Sequence, residues 1–330
     1  MTHTVKYLIQ IISFLVIFVS FQACAKWYLH TFDTMGTRAH LEFWLDEEST
    51  TIGHAEKLIS QVTMEMDRLD KSMSPYITSS ELSLLNRDAG NRPVSVSIEL
   101  ISLLAIAQDI SVMSEGAFDI TYASIGYQYD YRENIRPAQS AITDALASIN
   151  YQAIILDEIN STVKFANSAV KIDLGGIAKG YAIKRCLSIL KSAGINYALM
   201  SAGGDTALLG DRNGRPWLVG IKHPRAEDKN AVHIPLSDEA ISTSGDYERY
   251  FIEDGKRYHH IINPKTGDSA RKVVSVSVIG KDATVVDALS TTLFVKGLKE
   301  GMNIINKLPN YEAIIIDNNQ KLHFSKGLQQ

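Results

Sequence analysis

The chain has 330 residues, 45% of them hydrophobic and 21% charged, with a formal net charge of −4. That is long enough to bury a sizeable core, as one large or two modest domains. The mild acidity and the lack of any Lys/Arg run interleaved with aromatics argue against a nucleic-acid surface, and two cysteines, Cys24 and Cys186, are too few for a disulfide scaffold.

Residues 1–25 have the layout of an export signal. Lys6 precedes an apolar run over 7–19, and small residues follow at Ala23-Cys24-Ala25. The run is short for a membrane span, which takes about 20 residues, so an uncleaved anchor is the weaker alternative. Phe21-Gln22-Ala23-Cys24 is similar to a bacterial lipobox with Phe where Leu is usual. Lipidation of Cys24 is the favoured route and ordinary signal cleavage the other. Either way 26–330 is the exported part, expected on a membrane facing the periplasm. Cys186, on a predicted helix face, reads as a small core residue.

Further along, Ala39, Leu41, Phe43 and Leu45 alternate as in a strand. Ile52, Ala55, Ile59, Val62, Met66 and Leu69 recur at helical spacing, and Leu100, Leu103, Leu104, Ala107 and Ile110 suggest a second helix. Short strands are expected at 154–156 and 163–165. An apolar stretch at 170–172 then runs into Asp173-Leu174-Gly175-Gly176, and a helix follows over 177–190. This is a turn built for close approach. Glycine removes the side chains that would block it, and the new helix offers N–H groups and dipole charge to an anion. Lys179 adds a full charge. The segment matches neither the Walker pattern nor GxGxxG spacing. Strands at 197–200, 217–221, 250–252 and 274–278, helices at 283–295 and 299–306, and a closing pair at 313–316 and 322–324 complete the reading. Strands come in adjacent pairs, which favours an α+β fold with largely antiparallel or mixed sheets packed with helices.

Polar clusters sit where strands end: Ser201-Ala202-Gly203-Gly204-Asp205, Ser242-Thr243-Ser244-Gly245-Asp246, and His260 to Gly267. Each alone reads as a turn; together they suggest a shared phosphate or ribose site. On a helix, Asp287 and Thr291 share a face and can present a carboxylate and a hydroxyl to one hard cation, with a carbonyl from the Gly175-Gly176 turn as a third oxygen. A solvated Asp and a back-bonded Thr is the bland alternative.

These segments taken in order resemble the ApbE family of flavin transferases. The resemblance runs over Met35-Gly36-Thr37, Ser74-Pro75-Tyr76, Gly116 to Thr121, Asp173 to Ala182, Gly203-Gly204-Asp205, Ser242 to Gly245, His260 to Gly267 and Asp287 to Thr291. Ser201, Asn263 and Tyr122-Ala123-Ser124 depart from the usual pattern. The resemblance implies an ApbE-like fold with the FAD site in a cleft between two subdomains. It implies Mg²⁺-dependent transfer of FMN from FAD to a threonine hydroxyl of another protein, with release of AMP. Matching positions for FAD contact are Met35, Tyr76, Ala117, Phe118, Asp119, Asp173, Lys179 and Ile262, with Ile261 the alternative to Ile262. Those for Mg²⁺ are Gly176, Asp287 and Thr291. Implied acceptors are membrane redox subunits with a Ser/Thr-Gly-Ala-Thr-like segment. His260 is read as the general base, titrating near 6.5 if unperturbed, against a purely structural histidine. Hydrolysis of FAD to FMN and AMP, or FAD binding without turnover, are the competing functions.

Overall fold

The computed structural model describes residues 26–46, 53–226 and 228–329. The export segment with Cys24, and Ile52 of the first expected helix, lie outside the described residues.

The described chain opens on an antiparallel hairpin of β1 (Lys26–Thr34) and β2 (Thr37–Leu45). Met35 and Gly36 close it with φ of 48° and 69°. Positive φ at both central residues matches the twist of the flanking strands, and the Met35 amide is held by Asp70 Oδ2 at 3.2 Å. In β2 the alternation is as expected: Ala39, Leu41, Phe43 and Leu45 are buried. Helix α1 (His54–Met73) buries a stripe running from Ala55 through Val62 and Met66 to Met73. Helices α2 (Glu81–Asp88) and α3 (Ile98–Met113) are each capped by a serine, Ser80 and Ser97, whose oxygen accepts an amide of the first turn. A small sheet pairs Val94–Ser95, Thr162–Phe165 and Ile154–Asp157.

Helix α4 (Ala178–Ser192) leads into β3 (Ala198–Ala202) and β4 (Asp205–Leu209). A hairpin of β5 (Trp217–Lys222) and β6 (Asn230–Leu236) precedes β7 (Ala240–Gly245). A second hairpin follows, β8 (Tyr250–Glu253) and β9 (Lys256–His259). Then come β10 (Ser275–Gly280), α5 (Ala283–Lys296), α6 (Leu298–Ile305), β11 (Tyr311–Ile316) and β12 (Leu322–Phe324).

Eight of these strands form one antiparallel sheet in the order β1-β2-β3-β4-β7-β10-β11-β12. The architecture is the expected α+β arrangement. Strand residues point alternately to the two faces. Met200, Ala207, Ala240, Val276 and Ala313 join the main core, together with residues of α1, α4 and α5. Leu208, Ile241, Ile279 and Ile314 point the other way and are covered by Trp217, Ile221 and Leu236 of the β5–β6 hairpin. The same parity decides the site. Asp205, Ser242 and Ser244 lie two or four residues from Ala207 and Ala240, so they too face the helices.

The inner side of α4 carries Cys186. Its Sγ approaches the Val62 carbonyl at 3.7 Å, and burial pushes the thiol up to about 12. The core reading of this residue holds. Six residues earlier, α4 meets α5 at Gly180. A Cβ there would collide with the Ala283 carbonyl and come within 2.7 Å of Asp287 Cβ. Gly180→Ala is therefore expected to destabilise the fold. Overpacking of this kind costs about 1–3 kcal/mol, which exceeds the roughly 1 kcal/mol that Ala gains over Gly in a helix. Urea denaturation of the two proteins checks it; equal midpoints would mean that the helices do not need this contact.

Candidate active site

The turn before α4 is built by side chains from elsewhere in the chain. Asn86 clamps Ile172, donating to its carbonyl at 2.8 Å and accepting its amide at 2.8 Å. The Tyr127 hydroxyl donates to the same carbonyl at 2.7 Å. Asp173 Oδ1 then accepts from Tyr122 Oη at 2.9 Å and from the Gly175 amide at 2.7 Å. Tyr122 belongs to a segment that departs from the family pattern, and here it orients the aspartate. Beyond it, a Cβ on Gly176 would sit 3.2 Å from Thr291 Oγ1 and 3.3 Å from Phe118. Glycine at this position lets the turn pass close to α5.

The sequence reading has the α4 N-terminus offering free N–H groups to an anion. In the structure two of these groups are already taken. Gly180 N donates to Asp287 Oδ2 at 3.0 Å, and Ala178 N donates to the Leu174 carbonyl at 2.8 Å. The anion at this helix end is the protein's own carboxylate, which the helix dipole favours. Asp287 is 3% exposed, so the solvated alternative fails as well.

Lys179 reaches back over the same place. Its Nζ lies 3.0 Å from Asp205 Oδ2, 4.0 Å from Asp287 Oδ2 and 3.2 Å from the Gly175 carbonyl, to which it donates. Burial alone would lower the Lys179 pKa, but Asp205 and then Asp287 outweigh it and hold the ammonium charged. Asp287 moves the other way. Burial, then repulsion from Asp205, push it up to about 7 against the pull of Lys179 and the Gly180 N–H. Two buried carboxylates thus share one ammonium, and the site lacks a positive charge.

The donors around this deficit are all oxygen: Asp287, Thr291 Oγ1 and the adjoining Gly176 turn, with Asp205 behind. Among the described residues no group of three or more His, Cys, Asp or Glu side chains is arranged to hold a metal. Such an oxygen set suits a hard cation that keeps water and phosphate in its other positions. The residues fit Mg²⁺.

His260 follows β9 directly. Its neighbour His259 is buried, with Nε2 donating to the Ala270 carbonyl at 2.5 Å and Nδ1 accepting from Ile261 N at 3.3 Å. His260 is half-buried, with Nδ1 lacking any partner. Desolvation, then the nearby charges of Arg249, His259 and Lys179, lower its pKa to about 3. The value near 6.5 is that of an unperturbed ring, and this ring is desolvated. It is a neutral imidazole at physiological pH.

Gly176, Lys179, Asp287 and Thr291 come together, with Phe118 against Gly176. The Met35 turn stands near them. A Cβ on Gly203 would meet Thr37 Oγ1 at 3.4 Å and Lys179 Cε at 3.7 Å. Tyr76 is 81% exposed on its loop and free to stack on a ring. Ala117 and Asp119 are buried, and both Asp119 oxygens are engaged, by Thr121 at 2.9 and 2.6 Å and by Tyr151 N at 2.9 Å. Ile262 packs in a small apolar cluster with Ile125, Tyr129 and Ile142, and Ile261 in the main core. Asp246 is locked by Arg225 through two bonds of 2.7 Å. The sequence reading missed the roles of Asp205, Ser242, Ser244 and Ser290. Asp205 Oδ1 accepts from Ser242 Oγ, and both residues are buried. The signal was present in the Gly-Gly-Asp and Ser-Thr-Ser turns.

The ApbE family model matches residues 35–315. A protein of Klebsiella pneumoniae named FAD:protein FMN transferase is 30% identical over 276 residues, covering 82% of this chain and 86% of that protein. The crystal structure of the ApbE protein from Thermotoga maritima superposes with a TM-score of 0.84 at 33% identity, over 92% of this chain and 98% of that one. The flavin transferase ApbE of Vibrio cholerae gives 0.82 at 26% identity, over 92% and 99%. The match spans far more than half of the sequence and most of each relative, and it includes every segment that builds the site: the chain belongs to the ApbE family.

Proposed function

We propose that this chain is an FAD:protein FMN transferase that uses Mg²⁺ and modifies a threonine hydroxyl, releasing AMP. The observation that carries the reading is the buried pair Asp205 and Asp287 around the single ammonium of Lys179, beside an imidazole without a partner. A diphosphate ester needs charge neutralisation on its transferred and leaving phosphates. Lys179, Arg249 and the His260 surroundings supply part of it. Asp287, Thr291 and the Gly176 carbonyl would hold Mg²⁺, which supplies the remainder when bound.

In the reaction, the acceptor hydroxyl oxygen forms a bond to the flavin-side phosphorus of FAD. The bond from that phosphorus to the bridging oxygen breaks, and AMP leaves with the electron pair. A threonine hydroxyl is a weak nucleophile at neutral pH; His260 would take its proton once the bound diphosphate offsets the positive charges that lower the ring's pKa in the free protein. The exposed ring of Tyr76 stacks on the flavin or adenine, and the Met35 turn closes one side. The acceptor belongs to the membrane redox subunits that carry a Ser/Thr-Gly-Ala-Thr-like segment. The deciding experiment incubates the protein with FAD, Mg²⁺ and such a segment, and follows AMP and protein-bound flavin. Equal amounts of both are expected; AMP without bound flavin would make the protein a hydrolase instead.

Residues 1–23 are proposed to be removed and Cys24 acylated on the periplasmic side of a membrane. Intact-mass measurement of the natively produced protein is expected to give a lipidated chain starting at Cys24; an unlipidated chain starting at Lys26 would reject the lipid anchor.

Asp287→Ala removes the charged oxygen of the cation site. Mg²⁺ binding, measured by calorimetry with FAD present, is expected to disappear, whereas Thr291→Ala weakens it less because a hydroxyl carries no charge. The substitution also frees the Gly180 amide, so a melting curve accompanies the titration. Undiminished Mg²⁺ affinity in a folded Asp287→Ala protein would remove this residue from the cation site.

His260→Ala is expected to bind FAD yet lose transfer by roughly 10²–10⁴-fold, the usual worth of a positioned base. The pH profile separates this role further. A base acts when neutral, and the neutral form persists at every pH above its pKa. With that value lowered to about 3, kcat/KM for FAD, which reports the free enzyme, has no acid step from His260 near 6.5. A rate profile at saturating Mg²⁺ checks it; an imidazole step at 6.5, absent from His260→Ala, would contradict the buried setting found here.

A further inference from the structure

Between Asp205 and Thr291 runs a set of hydroxyls whose protons can be counted. Ser242 Oγ donates to Asp205 Oδ1. Ser290 Oγ lies 2.8 Å from the Asp287 carbonyl, 3.2 Å from Ser242 Oγ and 2.8 Å from Ser244 Oγ. Ser244 Oγ in turn lies 3.2 Å from Thr291 Oγ1. Each hydroxyl has one proton and two lone pairs.

The ends of the set fix its direction. Asp205, ion-paired with Lys179, only accepts, so the Ser242 proton is taken. A carbonyl also only accepts. If Ser290 gives its proton to the Asp287 carbonyl, Ser244 donates to Ser290, and Thr291 donates to Ser244. One contact, between Ser242 and Ser290 at 3.2 Å, is then left without a proton. In the reverse direction Ser290 donates to Ser244, and two contacts are left bare, including the 2.8 Å approach to the carbonyl. Oxygens that close repel unless a proton lies between them. The first direction wins.

Its consequence falls on Thr291. With its proton turned toward Ser244, the Thr291 oxygen keeps its lone pairs for the cleft beside Gly176. Reversed, it would aim a proton at any cation placed there. We propose that Ser244, backed by Ser290, is the positioning residue that makes Thr291 a cation ligand. This rests on the reading that Asp287 and Thr291 hold Mg²⁺. Ser244 gains this role from strand parity: it lies on the helix-covered face of β7, two residues after Ser242.

Calorimetric titration of Mg²⁺ into the full protein, with FAD present, tests the inference on wild type, Asp287→Ala, Ser244→Ala, Ser244→Thr, Thr291→Ala and the Ser244→Ala/Thr291→Ala double variant. Groups that orient a metal ligand are worth roughly 10–100-fold in affinity, and Ser244→Ala is expected near the lower figure with its FAD affinity unchanged. Ser244→Thr, which keeps the hydroxyl, restores Mg²⁺ binding. In the Thr291→Ala background Ser244→Ala has no further effect, a non-additivity that general loosening of the strand would not produce. Wild-type binding lost in Asp287→Ala but intact in Ser244→Ala overturns the inference alone, as does an additive loss in the double variant. No Mg²⁺ binding by wild type overturns the metal reading and this inference with it.

Discussion

The site depends on keeping the Asp287 carboxylate inside the protein. Removing such a group from water carries a large cost unless its charge is met. The fold meets it in part, with the Gly180 N–H at the start of α4 and with Lys179 at longer range. Those contacts require the two helices to touch, and the touch requires Gly180. Helix packing, backbone capping and charge are therefore one arrangement. The remaining deficit of positive charge is one that the proposed cation would fill.

This explains why Lys179 is held between two acids rather than reaching freely into the cleft. A free lysine would meet the diphosphate by itself and could serve binding alone. Held by Asp205 at 3.0 Å, it leaves Asp287, 4.0 Å away, short of a counter-charge. The hydroxyls between the acids carry the same logic into finer geometry. A serine two residues from another on one strand sets the direction in which a threonine on the next helix points its proton.

Part of this was legible in the sequence. The Asp173-Leu174-Gly175-Gly176 turn stands out because an acid and two glycines interrupt an apolar strand. Asp287 and Thr291 stand out because helical spacing alone puts them on one face. The buried alternation of β2 was equally plain. Asp205 and Ser242 were visible only as turn residues, because their meeting is set by the pairing of β4 with β7, a register that no local pattern encodes. β1 escaped notice because it has no apolar alternation, with Trp27, Tyr28 and Leu29 in succession and mixed exposure along its length. His260 was identified correctly as lying at a strand end, while its titration depends on surroundings that the sequence does not show. Burial and neighbouring charge are properties of the folded state.

Cys186 has a consequence for where such a protein is able to fold. Among the described residues it is the free cysteine, sealed between α4 and α1. Its thiol is held protonated far above the usual range, and the thiolate is the form that reacts. It has no sulfur partner and no exposed surface at which an oxidant or a disulfide-exchange catalyst would act. The described fold therefore reaches the same covalent state in a reducing cytosol and in an oxidising compartment. Within the described residues, folding needs no thiol chemistry.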